Sequence, residues 1–412
     1  MLILHDPATL AHKTIELLGA KLIPALESPE RISTALDALQ ASESHVIKTV
    51  KFEPNSSSGP ELLQVLASTH AAGYLHHLEH AHSSWVKEGL IEQHESILPE
   101  CFHFPNSAGL GGEKEWPDPP KDIFARAGFY AFDMSTGICA DTYRSVLASA
   151  NLALNGVKTL FPPPDRLSSA KTTPATVLAL CRPPGHHCDT RRAGGYCYIN
   201  NAVVAVETFR TYHRRRHLPP SEAQPISPQA PEDSARNART AQPRIAILDL
   251  DFHHGNGTQE AFYSDPNVLY ISIHGQDEYP YYTGRNTETG TGRAQGTNLN
   301  LPLPTGSSVQ QYLKEMDSGL GALVDFRPDF VLLSLGFDTF HLDPLGSFKI
   351  ETEDYAQIAG RVRKRLKALE REMEEGDSHA EPVPCLILLE GGYVIEKLGP
   401  NLLTFLKGWD QA

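Results

Sequence analysis

The chain has 412 residues, 40% hydrophobic and 21% charged. This balance suits a globular body with a sizeable core and excludes collagen-like, coiled-coil or wholly disordered architectures. Acidic residues outnumber basic ones 50 to 36, a formal net charge of −14, which disfavours non-specific binding to nucleic acid or anionic membranes and attracts cations.

The opening MLILHD at 1–6 reads as a first strand, because it has neither the basic start nor the cleavage pattern of a signal peptide. Nowhere do 18 apolar residues run together, so no membrane span is expected. Six cysteines (Cys101, Cys139, Cys181, Cys188, Cys197, Cys385) form no C-x-x-C pair and read as reduced, mostly buried thiols. A cytoplasmic location is expected, with the nucleus as the other reducing compartment.

Five short runs then carry the pattern of strands covered on both faces: TVLALC at 176–181, IAILDLDF at 245–252, VLYISI at 268–273, FVLLSL at 330–335 and CLILL at 385–389. Helical patterns at 202–212, 309–324 and 355–374 lie between them. Strands alternating with helices predict an α/β fold of three αβα layers around a central, mostly parallel sheet. From 213 to 243 the sequence is rich in Pro, Ser, Ala and charge. It predicts a disordered insertion within one domain spanning 1–412. Arg214, Arg215 and Arg216 at its start read as a solvated helix end, since so short a basic run rarely marks a nucleic-acid site.

The chemistry-bearing residues cluster at the carboxyl ends of these strands. The first run leads into Arg182-Pro-Pro-Gly-His186-His187, and the second ends in Asp249, Asp251, His253, His254 and Asn256. The third reaches His274, the fourth Asp338, and the fifth Glu390-Gly-Gly-Tyr393. In open parallel sheets, ligands bind at that edge. Along a strand, residues two apart share a face, so Asp249, Asp251 and His253 are expected to project together. Taken singly, each Asp or His reads as a cap or a satisfied core group. Together, Asp251, His253 and Asp338 make a three-ligand metal site with a fourth position open to water or substrate. Asp249 then stands behind that set, and with Ser272 and nearby backbone carbonyls it can hold a monovalent cation. One of His186 and His187 can take a proton from water and return it to a leaving amine, with Asp249 and Asn256 as orienting partners. Tyr393 can donate its hydroxyl to a carbonyl oxygen. Such a set performs metal-assisted amide hydrolysis.

RPPGHH, GGYCYINNAVVA, DLDFHHGNGTQEAFY, LGFDTFHLDPLG and LEGGY closely resemble, in order and separation, the motifs of the zinc-dependent histone deacetylase superfamily. Pro29-Glu30-Arg31-Ile32 resembles its N-terminal element, so the likeness covers nearly the whole chain. The stretches at 128–150, 279–306 and 338–355 look most like its acetylpolyamine amidohydrolase branch. The resemblance implies the arginase/deacetylase-like fold and one catalytic zinc held by Asp251, His253 and Asp338. It implies a catalytic pair of His186 and His187, with His187 as base and acid, and Tyr393 as the carbonyl polariser. It implies a structural potassium held by Asp249, Ser272 and the backbone of Asp251 and His253. The channel would be formed by Gly195, Tyr196 and one of Tyr281 or Tyr282.

The substrate implied is a small acylated amine such as an acetylpolyamine, with an acetyl-lysine peptide as the alternative. A homodimer is implied too, with 101–127 in the place of the branch's mouth-narrowing loop; its Glu113, Glu115, Asp118 and Asp122 are candidates to hold a distal ammonium. Three departures stand out: Ser28 where the family often has His, Asn256 where many nuclear members have Asp, and the insertion itself. An arginase-like binuclear hydrolase would need a second ligand set, and a non-catalytic binding module would not need His186, His187 and Tyr393 intact.

Overall fold

The computed structural model describes residues 1–56, 58–103, 117–162, 174–217, 242–376 and 383–412. Eight strands form one sheet, in the order β4-β1-β5-β10-β9-β6-β7-β8. They are β1 (Leu2–His5), β4 (Val46–Thr49), β5 (Thr176–Ala179), β6 (Ile245–Asp249), β7 (Val268–Gly275), β8 (Asn298–Leu303), β9 (Phe330–Leu335) and β10 (Cys385–Leu389). Every pairing is parallel, so all carboxyl ends open on one edge. A separate antiparallel hairpin, β2 (Ile15–Leu18) with β3 (Lys21–Pro24), stands apart from this sheet.

The five apolar runs are strands because they are covered on both sides. Leu178, Leu333 and Ile387 pack into one core, with α1 (Glu30–Ser42), α8 (Val309–Phe326), α9 (Asp354–Gly376) and α10 (Ile395–Gln411). Their neighbours Val177, Leu332 and Leu386 pack into a second core, with α2 (Gly59–Thr69), α3 (Ala72–Lys87), α5 (Thr142–Leu160) and α6 (Asn201–His217). Alternate side chains thus serve opposite layers, as the period of a strand requires. Each fully buried Leu contributes about 2 kcal/mol of transfer free energy. Two short helices, α4 (Ile123–Phe129) and α7 (Asn256–Phe262), complete the layers. At the start of α8, Ser308 and Gln311 form a reciprocal capping box that fixes the helix entry.

Several boundaries move. The run at 245–252 stays in the ladder only to Asp249, because Asp251 turns its amide onto Asp249 Oδ1 at 3.2 Å. Helix α6 continues through His217, so 213–217 are helical and Arg215 reaches Glu61 at 3.7 Å. Of the rest of the expected insertion at 213–243, residues 218–241 lie outside the described residues. All six cysteines are free and all but Cys101 are buried. No helix among the described residues is long and apolar enough to cross a membrane.

Candidate active site

Five adjacent strands, β5-β10-β9-β6-β7, deliver the site. The loops after β6 and β9 bring Asp251, His253 and Asp338 together, with one ligand atom of each within 4.8 Å of the others. All three are buried. His253 Nδ1 lies 3.3 Å from Asp251 Oδ1 and 3.0 Å from Asp338 Oδ2. Its Nε2 faces the Leu345 carbonyl at 3.1 Å. A proton on Nε2 donated to that carbonyl leaves the Nδ1 lone pair facing two carboxylates, an arrangement that asks for a cation between them.

Without a metal, a proton on His253 Nδ1 meets that demand. Burial and the neighbouring Asp251 push the Asp338 carboxyl up to about 7. At His253 burial works the other way, yet hydrogen bonds to both aspartates raise the imidazole to about 10. The backbone is shaped to the group as well. A Cβ on Gly336 would lie 2.1 Å from Asp251 Oδ2, and one on Gly391 would lie 2.2 Å from Asp338 Oδ2. The donor set therefore fits a divalent metal of the zinc type.

The histidine pair follows β5. Glu390 Oε2 accepts the amides of Gly185 at 2.8 Å and His186 at 3.3 Å, fixing the loop. His186 Nδ1 donates to Asp249 Oδ2 at 3.1 Å. Burial opposes its charge, but Asp251 and Asp249 outweigh it and raise the imidazole to about 10. His187 is the opposite case: burial, with His186 and His253 beside it, drives its pKa well below the ordinary value. Its Nδ1 meets Asn256 Oδ1 at 2.8 Å, while Asn256 Nδ2 donates to the His187 carbonyl at 3.2 Å. The amide is thereby oriented as an acceptor, so Nδ1 carries the proton and Nε2 is free as a base.

Tyr393 follows β10, its amide held by Asp343 Oδ2 at 2.7 Å and its ring 5.1 Å from the Arg31 guanidinium. Burial keeps its hydroxyl protonated, with Asp338 adding to the effect. It lines a cavity of about 360 Å³ with His187, His253, Gly195, Tyr196, Glu16 and Asp133. Tyr196 packs 5.5 Å from Tyr393 and donates its hydroxyl to Glu16 Oε2 at 2.8 Å.

The opposite wall holds Tyr279 in addition to the expected Tyr281. Tyr279 stands edge-on to His187 at 4.9 Å and lies 5.9 Å from His253. Tyr281 borders the catalytic cavity and is 63% exposed at its mouth, and Tyr282, 85% exposed, borders the neighbouring cavity. The resemblance pointed to Tyr281 or Tyr282 and not to Tyr279, and Glu16 and Asp133 lay outside any motif read for chemistry. Asp249 and Ser272 are fully buried register partners on β6 and β7, and Ser272 Oγ also meets His274 Nδ1 at 2.9 Å. Of the acidic residues in 101–127, Asp122 caps α4 through the Ala125 amide and Asp118 is exposed; Glu113 and Glu115 lie outside the described residues.

Fold and site together define a hydrolase of the deacetylase type. The chain belongs to the histone deacetylase family: the Histone deacetylase domain matches residues 25–218 and 234–408. The family is generally zinc-dependent. The chain is 30% identical to acetylpolyamine amidohydrolase 2 of Pseudomonas aeruginosa, over 99% of this chain and 98% of that protein. It is 28% identical to the chloroplastic histone deacetylase 10 of Oryza sativa, over 91% and 67% respectively. The crystal structure of acetylpolyamine aminohydrolase from Burkholderia pseudomallei superposes with a TM-score of 0.74 at 28% identity, covering 99% of this chain and 98% of that one.

Proposed function

We propose that this deacetylase removes the acetyl group from a small acylated amine, an acetylpolyamine or a close analogue. The observation that carries the reading is a single cavity bordered by His253, His187 and Tyr393 and also by the carboxylates of Glu16 and Glu278. The first three suit amide hydrolysis; the acidic ones suit a cationic amine. Acetylpolyamine amidohydrolases that match nearly end to end support the same substrate class, and so does the net charge of −14.

In this reading Asp251, His253 and Asp338 would hold a zinc ion, which would supply Lewis acidity for amide hydrolysis. His187, with Nδ1 turned to Asn256, uses Nε2 to take the proton of the water and return it to the leaving amine. His186, held on Asp249, contributes positive charge beneath the reaction centre. The Tyr393 hydroxyl donates to the carbonyl oxygen as negative charge develops there. Tyr196 and Tyr279 flank the amine's methylene stem. A potassium ion bound by Asp249, Ser272 and the backbone carbonyls of Asp251 and His253 is part of the proposal, as is a homodimer.

Lysine deacetylation of a protein is the second reading. It draws on the rice relative and on the exposed Tyr281 and Tyr282 beside the cavity. Rates on acetylputrescine, acetylspermidine and an acetyl-lysine peptide, measured with zinc present, decide between them. A peptide that is by far the best substrate overturns the polyamine reading.

A further inference from the structure

Asp133 lies between α4 and α5, away from the strand ends that supply the metal ligands and histidines. It borders both the catalytic cavity and a neighbouring one of about 440 Å³. Its Oδ2 accepts the Gly195 amide at 2.7 Å, the Tyr279 hydroxyl at 2.7 Å and the Ser135 hydroxyl at 2.6 Å. Its Oδ1 accepts the Thr136 hydroxyl at 3.1 Å and the Ser135 amide at 3.2 Å. A carboxylate has roughly four acceptor positions, so these donors saturate it. Whatever its charge does at long range, it has no lone pair left for a substrate's ammonium.

We infer that Asp133 is the positioning residue that ties the two walls of the substrate channel together and thereby sets its width. The inference rests on the reading that an acylated amine enters this channel. On one side are Gly195 and Tyr196, both left-handed at φ 54° and 63°, a conformation that a tyrosine adopts only under constraint. Asp133 holds the Gly195 amide directly. Thr136, itself bound to Asp133, accepts the Tyr196 amide at 3.1 Å. On the other side is Tyr279, whose ring faces His187 and whose hydroxyl ends on the same carboxylate oxygen. Beyond that ring lies the second cavity, lined by Phe132, Pro280, Tyr281 and Arg192. Released from Asp133, the ring has room to swing away from His187. The channel then fits a thin methylene stem poorly and admits a broader one.

The test is steady-state kinetics of Asp133→Asn, Tyr279→Phe and the double variant. The substrates are acetylputrescine, an acetyl-lysine peptide and the ring-bearing acetylbenzylamine, with thermal midpoints recorded alongside. For Asp133→Asn we expect KM for the linear substrates to rise about tenfold, the scale of one lost hydrogen bond to a charged group. We expect kcat to change much less, and the preference for linear over ring-bearing stems to shrink. Tyr279→Phe, which removes a single hydroxyl, should show the same pattern more weakly. The double variant should be no worse than Asp133→Asn alone. Should Asp133→Asn fold poorly, Tyr279→Phe carries the test by itself. A kcat collapse at constant KM, unchanged stem selectivity, or fully additive effects overturns the inference. The substrate reading is judged separately, on wild-type rates. If the peptide wins there, the tether is still decided by variant against wild type on that peptide.

Discussion

Arg182 donates from Nε to Glu27 Oε1 across 2.9 Å, and both side chains are shut away from solvent. The same oxygen accepts Nη1 of Arg31 at 2.8 Å. Arg31 in turn donates to the carbonyls of Gly392, at 2.7 Å, and Glu390. One carboxylate thus joins the N-terminal Pro-Glu-Arg element, the loop that carries the histidine pair and the loop that carries Tyr393. Burial works against its charge, and the two guanidiniums overcome it, holding the Glu27 carboxyl below its usual range. Glu27→Gln leaves two buried cations without their shared partner. Such a break costs about 3–5 kcal/mol, and a denaturant titration at neutral pH should register it. A loss below about 1 kcal/mol would show that the cluster contributes little to folding.

Metal dependence has a direct readout. Purified protein should carry zinc, measured by atomic emission, and a strong chelator should remove both metal and amide hydrolysis, with zinc restoring them. Asp338→Asn should abolish metal retention, since it removes one of only three ligands. Hydrolysis that persists in metal-free protein contradicts the proposed chemistry.

Tyr393→Phe removes a hydroxyl and little else, because the ring packing against Tyr196 and Arg31 is retained. Loss of a donor to a developing oxyanion lowers kcat by roughly 10²–10³-fold, with the melting temperature near that of the wild type. An unchanged kcat would mean that another group polarises the carbonyl.

The protein should lose stability on mild acidification. Burial lowers His12 and His70 to about 4 and His77 to about 3, all far from the metal ligands in sequence. Each binds its proton near 6.5 when the chain is unfolded, so between that value and the folded pKa the unfolded state holds more protons. Stability is therefore full above about pH 6.5 and declines as pH falls, by about 2 kcal/mol per residue at pH 5. Denaturant midpoints at pH 7 and pH 5 measure it; equal midpoints would contradict the neutral, buried state of these rings.

The sheet centre was legible because β5, β6, β9 and β10 are near-continuous apolar runs, a signal that survives without any partner in view. The periphery was not. Strand β8 buries Asn298 and Asn300 while Leu299 and Leu301 between and beside them stay half-exposed, inverting the usual alternation over its first half. Strand β4 is a four-residue edge with exposed Val46. Helix α3 hides its apolar face among four histidines. At the site, residues fixed by a strand end or a motif landed together, among them Asp251, His253, Asp338, His187 and Tyr393. Tyr279, Glu16 and Asp133 come from loops and the hairpin, whose inward side is decided by tertiary packing, and no local spacing announces it.

The order of strands also constrains how the protein comes into being. Strand β10 fills the slot between β5 and β9 and is made after every other strand of this sheet. Until Cys385–Leu389 arrives, the sheet is split through its middle and Tyr393 does not yet exist. A nascent chain with every other strand synthesised can neither close its core nor polarise an amide. Activity can begin only once Cys385–Tyr393 has been made, and chains that lack this strand should be insoluble, not weak enzymes.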